Sequence, residues 1–167
     1  MHSTFSFCPK CGGKLVVKHL DGRDRQVCSL CRFVYYRNPI PAAGVIVIED
    51  NCVLLVKRKY APYIGYWCLP AGFVEWEEGP EECALREAKE ETNLDLELKS
   101  IHGVYAAGES DDYKIMLVFY LAERIGGDLK PGDDATDARF FHLAQLPTPI
   151  AFSIHRQILK DLQKQHL

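Results

Sequence analysis

The chain has no excess of positive charge: Lys and Arg together number 20 against 23 Asp and Glu, for a formal net charge of −3. Without a net basic field there is no general electrostatic pull on a polyphosphate backbone, so no nucleic-acid partner is expected. Long apolar runs are missing as well. The longest, 42–48 and 115–122, are strand-sized and far short of the roughly 20 residues a membrane span needs. The opening MHSTFSFCPK lacks the charged-then-apolar order of a secretion signal. No internal repeat or low-complexity segment is visible, and the six histidines show no metal-binding spacing among themselves. These absences lead us to expect a cytoplasmic globular protein with no membrane partner. Its 167 residues, 47% of them apolar, suffice for one ordinary core and a small satellite.

What the chain does have is patterned cysteine. Cys8-Pro-Lys-Cys11 and Cys28-Ser-Leu-Cys31 form two C-x2-C pairs with sixteen residues between them, within the spacing of two zinc knuckles. Gly12 and Gly13 permit the tight backbone that would bring thiolates round one ion. Two disulfides are the rival reading, but Cys52, Cys68 and Cys83 bring the total to an odd seven. A reducing compartment and one structural tetrathiolate Zn²⁺ fit better, since four thiolates leave no open position for water. Residues 1–37 are too few for a core of their own, so the ion would supply their folding energy. Residues 38–41, with Pro39 and Pro41, read as a short stiff linker, and 42–167 as the main domain.

Along that domain, AAGVIVIED and CVLLVKRKY read as strands around a turn at Asp50-Asn51. Residues 67–70 and 73–75 suggest two short strands, 95–107 and 113–123 a long pair, and 138–142 another strand. Ile154, Ile158, Leu159 and Leu162 recur at helical period within 151–165. The order β, β, α, β, β, α predicts an α/β fold of the α+β kind, a mixed sheet with helices on both faces.

The most informative stretch runs from Leu69 to Leu94, LPAGFVEWEEGPEECALREAKEETNL. A helix opening at Pro80, whose fixed φ suits a first turn, places Glu87, Glu90 and Glu91 on one face. Ala84, Leu85, Ala88 and Thr92 fall on the other. Like charges three or four positions apart cost a helix roughly 0.2–0.5 kcal/mol each, so a cation is expected beside them. Arg86 can neutralise one carboxylate, and a hard divalent ion suits the set better. The bland reading is an acidic solvated helix face.

This stretch resembles the Nudix box, G-x5-E-x7-R-E-U-x-E-E-x-G-U with U apolar. Gly72, Glu78, Arg86, Glu87, Ala88, Glu90, Glu91 and Leu94 all stand where that pattern requires them. Two positions depart from it: Ala88 is smaller than usual, and Asn93 replaces the last glycine, where asparagine also tolerates a left-handed cap. The resemblance extends over the chain. A zinc ribbon, an Asn-Pro linker, LPAG and a last helix opening with Ala-Phe-Ser look like the ribbon-bearing Nudix hydrolases that act on FAD and ADP-ribose. NADH pyrophosphatases with a ribbon carry an S-Q-P-W-P-F-P-x-S array that has no counterpart between Leu94 and Lys130.

The resemblance implies a Nudix α/β/α sandwich that hydrolyses the diphosphate of a nucleoside diphosphate joined to another moiety, ADP-ribose or FAD, and releases AMP. It implies Mg²⁺ or Mn²⁺ held by Glu87, Glu90, Glu91 and a backbone carbonyl at Ala71 or Gly72, with Arg86 orienting the glutamates and Glu78 contributing structurally. The partner would be a small nucleotide substrate, and the assembly a homodimer. The box does not fix the general base. Glu109, Asp111 and Asp112 in one loop, and Asp133, Asp134 and Asp137 in another, are the candidates. Lys57, Arg58 and Lys59 could meet phosphates, and Tyr63, Tyr66, Trp67, Tyr105 and Phe152 could form an aromatic shelf, though core packing explains them as well. Three other readings stay open: a nucleoside triphosphate substrate, an NADH substrate, and a ribbon that binds nucleic acid or protein on a Nudix scaffold.

Overall fold

The computed structural model describes residues 5–108, 113–132 and 134–166. Near the N-terminus, β1 (Leu15–Leu20), β2 (Arg23–Cys28) and β3 (Val34–Tyr35) form a small antiparallel sheet. Asp21 and Gly22 take positive φ values of 50° and 73°, the pair of left-handed residues that a two-residue hairpin requires. Periodicity did not reveal these strands because β1 and β2 are mostly exposed and mix charge with short apolar runs.

Among the described residues the main sheet has seven strands. They are β4 (Ile40–Glu49), β5 (Cys52–Arg58), β6 (Trp67–Cys68), β7 (Ala71–Phe73), β8 (Asp95–Ala107), β9 (Ile115–Gly126) and β10 (Ala135–His142). The central order is β10-β5-β4-β9-β8, with β6 on β5 and β7 on β4. Among the described strands β4 and β9 pair in parallel and the other pairs are antiparallel, so the sheet is mixed. Asp50 and Asn51, both at positive φ, make the β4–β5 turn expected of them. The expected linker is shorter than its four residues: β4 already begins at Ile40, which pairs with Ile115, and Pro41 accepts from Val74 N–H at 3.1 Å. A proline that opens a strand loses no ladder bond it must keep.

Alternation along β4 divides the core. Val45 and Val47 face α1 (Pro80–Thr92), together with Leu54, Ala84 and Ala88. Ile46 faces α2 (Ser153–His166), together with Leu55, Phe119, Ile158, Leu159 and Leu162. A strand covered on both faces needs the continuous apolar run that the sequence shows. Among the described residues no helix is long and apolar enough to cross a membrane.

Candidate active site

The site is built where β7 delivers the chain to α1. Pairing of Ala43 with Gly72 and of Gly44 with Ala71 pins β7 against β4. The helix then starts at Pro80, where the Gly79 N–H is accepted by the Glu82 carboxylate at 2.9 Å. It ends at Asn93, whose φ of 59° and ψ of 12° are the left-handed cap expected of it.

Arg86 organises the carboxylates. Its Nε and Nη2 grip Glu78 in two bonds of 2.9 and 2.6 Å, and Nη2 also donates to the Phe73 carbonyl at 3.1 Å. Nη1 reaches Glu87 at 2.8 Å and Glu90 at 3.1 Å. The fork on Glu78 holds its carboxyl down to about 2, helped by the Glu75 N–H, and the same fork keeps Arg86 firmly protonated. Glu78 also closes the preceding turn by accepting from Glu75 N–H at 2.9 Å, a structural role that matches its expected one.

The three helix carboxylates are not equivalent. Glu90 lies on the surface against Arg86. Glu87 is mostly covered, and burial raises its pKa against the pull of Arg86. Glu91 is 7% exposed and accepts from Ala71 N–H at 3.2 Å. Burial first, and then the charge of Glu87, pushes its carboxyl up to about 8. The acidic stripe of α1 turns inward at its last member, because Glu91 packs beneath the β7 backbone, which is unlike a merely solvated helix face. Gly72 makes room for the neighbouring Glu87. A Cβ there would sit 2.0 Å from Glu87 Cδ, so only glycine allows the Glu87 carboxyl to lie against that backbone.

Glu87, Glu91, Ala71 and Gly72 line a cleft of about 240 Å³ together with Arg58, Tyr60, Phe73, Glu75 and Asp134. One buried and one mostly covered carboxylate beside partly accessible backbone, with Arg86 gripped in two bonds by Glu78, form an oxygen-rich donor set that fits a hard divalent cation. The oxygens of Glu87, Glu90 and Glu91 do not converge as a group within 4.8 Å, since Glu90 turns outward to Arg86. A larger open groove of about 490 Å³ lies on the other side of α1, lined by residues such as Leu85 and Ile101, and contains none of these three.

Of the candidate bases, Asp134 lines the cleft, whereas Asp137 is paired with Arg139 at 2.7 Å. Glu109, Asp111, Asp112 and Asp133 lie outside the described residues. Among the three cations of β5 and its end, Arg58 reaches the cleft; Lys57 sits over the Trp67 ring. The aromatic shelf looks different from the expectation. Trp67 is buried, and Tyr63 and Tyr66 pack with Phe152 beside the Val56 and Cys68 core, because each has apolar neighbours to cover. The exposed rings at the cleft are Tyr60 and Phe73, which no periodicity distinguished. Sequence reasoning also passed over Cys83, whose thiol donates to Phe73 O at 3.3 Å, and His155, whose Nδ1 accepts from Leu69 N–H at 3.1 Å. Both brace the Leu69–Phe73 segment, and neither carries a spacing signal.

Far from this cleft along the chain, Cys8, Cys11, Cys28 and Cys31 bring their four sulfurs within 4.8 Å of one another, a group that could hold a metal ion. The Sγ separations of 3.7 Å (Cys8 to Cys31) and 3.5 Å (Cys11 to Cys28) are those of free thiols. The Cys31 N–H, directed at Cys28, lowers that thiol to about 6.

A mixed sheet between two helices, with Arg-braced carboxylates at the end of a Gly-containing strand, defines a hydrolase of the Nudix type. The chain belongs to that family, for residues 38–162 match the NUDIX domain. It is 44% identical over 138 residues to an ADP-ribose pyrophosphatase of Methanocaldococcus jannaschii, covering 81% of this chain and 80% of that protein. It is 32% identical over 164 residues to the NAD-capped RNA hydrolase NudC of Vibrio atlanticus, with 96% of this chain but 58% of that protein covered. The chain thus spans little more than half the length of that relative. Among solved structures, a NUDIX hydrolase from Nitrosomonas europaea superimposes with a TM-score of 0.85 at 32% identity, over 97% of this chain and 92% of that one.

Proposed function

We propose that the protein hydrolyses ADP-ribose at its diphosphate, adding one water to give AMP and ribose 5-phosphate, with FAD as the next substrate to compare. The carrying observation is the cleft that buried Glu91 and mostly covered Glu87 line together with Ala71, Gly72 and Arg58. The 44% identity to a protein named ADP-ribose pyrophosphatase supports that choice of substrate.

Glu87, Glu91 and the Gly72 carbonyl would hold Mg²⁺ or Mn²⁺, with Glu90, turned outward to Arg86, supporting the set rather than ligating; the ion when bound neutralises phosphate charge and lowers the pKa of a ligated water. Arg86 fixes the Glu87 and Glu90 rotamers and keeps its own charge occupied by Glu78. Arg58, which lines the cleft and donates its Nε–H to Pro62 O, would meet a phosphate oxygen through its remaining guanidinium N–H groups. Asp134, opening on the same cleft, is the carboxylate we assign to the proton of the attacking water. Tyr60 and Phe73 offer ring faces at the rim for the rest of the substrate. The four cysteines would bind one structural Zn²⁺ that takes no part in the reaction.

The test is a comparison of kcat/KM with Mg²⁺ across ADP-ribose, FAD, NADH, dinucleoside polyphosphates and nucleoside triphosphates. ADP-ribose should lead. If NADH or a triphosphate exceeds both ADP-ribose and FAD by more than about tenfold, equivalent to about 1.4 kcal/mol of transition-state binding, the substrate assignment is wrong.

A further inference from the structure

The net charge of −3 hides a strong partition along the chain. Residues 1–37 carry seven Lys and Arg against two Asp, leaving thirteen against twenty-one for all the rest. A tetrathiolate zinc centre would bring two negative charges and still leave this segment positive. The register of the small sheet then sorts its charges by face. Opposite residues of an antiparallel pair share a face, and successive residues alternate. Lys18 lies opposite Arg25 and Leu20 opposite Arg23, which puts Lys18, Arg23 and Arg25 on one face. Asp24 is on the other face, opposite His19 and bonded to it at 3.0 Å. The cationic face therefore has no strand carboxylate, and neither Lys18 nor Arg23 has an ion-pair partner among the described residues. Tyr36, 54% exposed, belongs to this face, since the Arg25 guanidinium stacks 4.8 Å over its ring.

We propose that this face, Lys18, Arg23, Arg25 and Tyr36, binds single-stranded nucleic acid, the cations following phosphates and the Tyr36 ring supporting a base. Cations beside an exposed aromatic on a sheet make the surface that sequence-tolerant single-strand binding uses. An acidic protein surface, including the acidic main domain of a second copy, would satisfy the cations but would leave the ring unexplained. The acidic main domain also keeps phosphate chains off the remainder of the surface, which limits the contact to this module.

The experiment uses the full, zinc-loaded chain and fluorescence anisotropy with a labelled mixed-sequence RNA of about 12 nucleotides, single-stranded or annealed to its complement. The expected result is binding of the single strand in preference to the duplex, with log K falling against log salt at a slope of about −2, the value for three neutralised phosphates. Lys18→Glu with Arg23→Glu should lower affinity by about tenfold or more, and Tyr36→Ala by a similar factor. The milder pair Lys18→Gln and Arg23→Gln guards against a folding defect, and zinc content and ADP-ribose turnover should be unchanged in every variant. Binding is read without turnover, so its outcome is separate from the substrate assignment. No binding by the unmodified chain, equal affinity in the variants, or equal preference for the duplex would overturn the proposal. If the oligonucleotide does not bind and the charge variants instead dissociate a dimer in sedimentation, the face belongs to a second copy of the chain.

Discussion

His155 gives the sharpest test of how the last helix supports the site. Its ring is 4% exposed, its Nδ1 accepts the Leu69 N–H, and it packs edge-on to Phe119 at 5.3 Å between centroids. Burial first, then the charges of Arg58 and Arg156, lowers its pKa from 6.5 to about 3. The folded state thus binds one proton fewer than the unfolded chain between those values. Stability is fully present above pH 6.5 and is lost as pH falls toward 3. Integrated from about pH 7.5 to about pH 5, the loss attributable to this residue is roughly 2 kcal/mol. His155→Gln keeps an acceptor for the Leu69 N–H but cannot titrate in this range. It should cost about 1–3 kcal/mol at neutral pH through lost packing. Urea unfolding of both proteins at the two pH values isolates the effect, because every other titrating group cancels. The variant should lose about 2 kcal/mol less than the parent on acidification. Parallel pH dependence in the two proteins would refute the reasoning.

Other predictions test the carboxylates and the thiols. Glu91→Gln removes a buried carboxyl that can ionise to ligate a cation, at nearly constant shape, so turnover should fall by more than ~10²-fold, while the metal-free protein melts no lower than the parent; an active variant removes Glu91 from the ligand set. Gly72→Ala should leave the fold within about 1 kcal/mol, because the atom it strikes is the far end of the Glu87 side chain, yet lower kcat sharply. Unchanged kcat would mean that the Glu87 position against Gly72 does not matter. Metal analysis should give one zinc per chain, and removing it should unfold the first ~37 residues before the main domain. Absence of zinc, or a disulfide among Cys8, Cys11, Cys28 and Cys31, would reject the structural-metal assignment.

The fold was legible where periodicity and burial agree. β4 is buried on both faces and reads as an unbroken apolar run, and α1 is bracketed by Pro80 and Asn93, so its bounds followed from local chemistry. β10 was seen only in part, because its first residues are polar and pair with the end of β5 across a register shift between Ala135 and Asp137. The strands of the cysteine module escaped notice because they are mostly exposed and bury few side chains, so there is no apolar face that alternation could reveal.

The site divides along a similar line. Gly72, Glu78, Arg86, Glu87, Glu90 and Glu91 lie within twenty residues, where helical spacing relates them to one another and a sequence can display the relation. Arg58, Asp134 and His155 reach the same cleft or its supporting backbone from three other elements, 14 to 64 positions away from that cluster. Nothing in the local sequence marks them, because a cation at a strand end, an aspartate in a loop and a histidine in a helix are ordinary by themselves. Pairing of β10 with β5 brings Asp134 to the end of β5 beside Arg58: Lys59 N–H donates to Asp134 O at 2.9 Å, so the sheet itself assembles the cleft. Glu91 shows the same dependence within the motif itself. Its position is local, but its burial, and with it the raised pKa of its carboxyl, arises only when β7 folds over it, and the Ala71 N–H offsets only part of that cost.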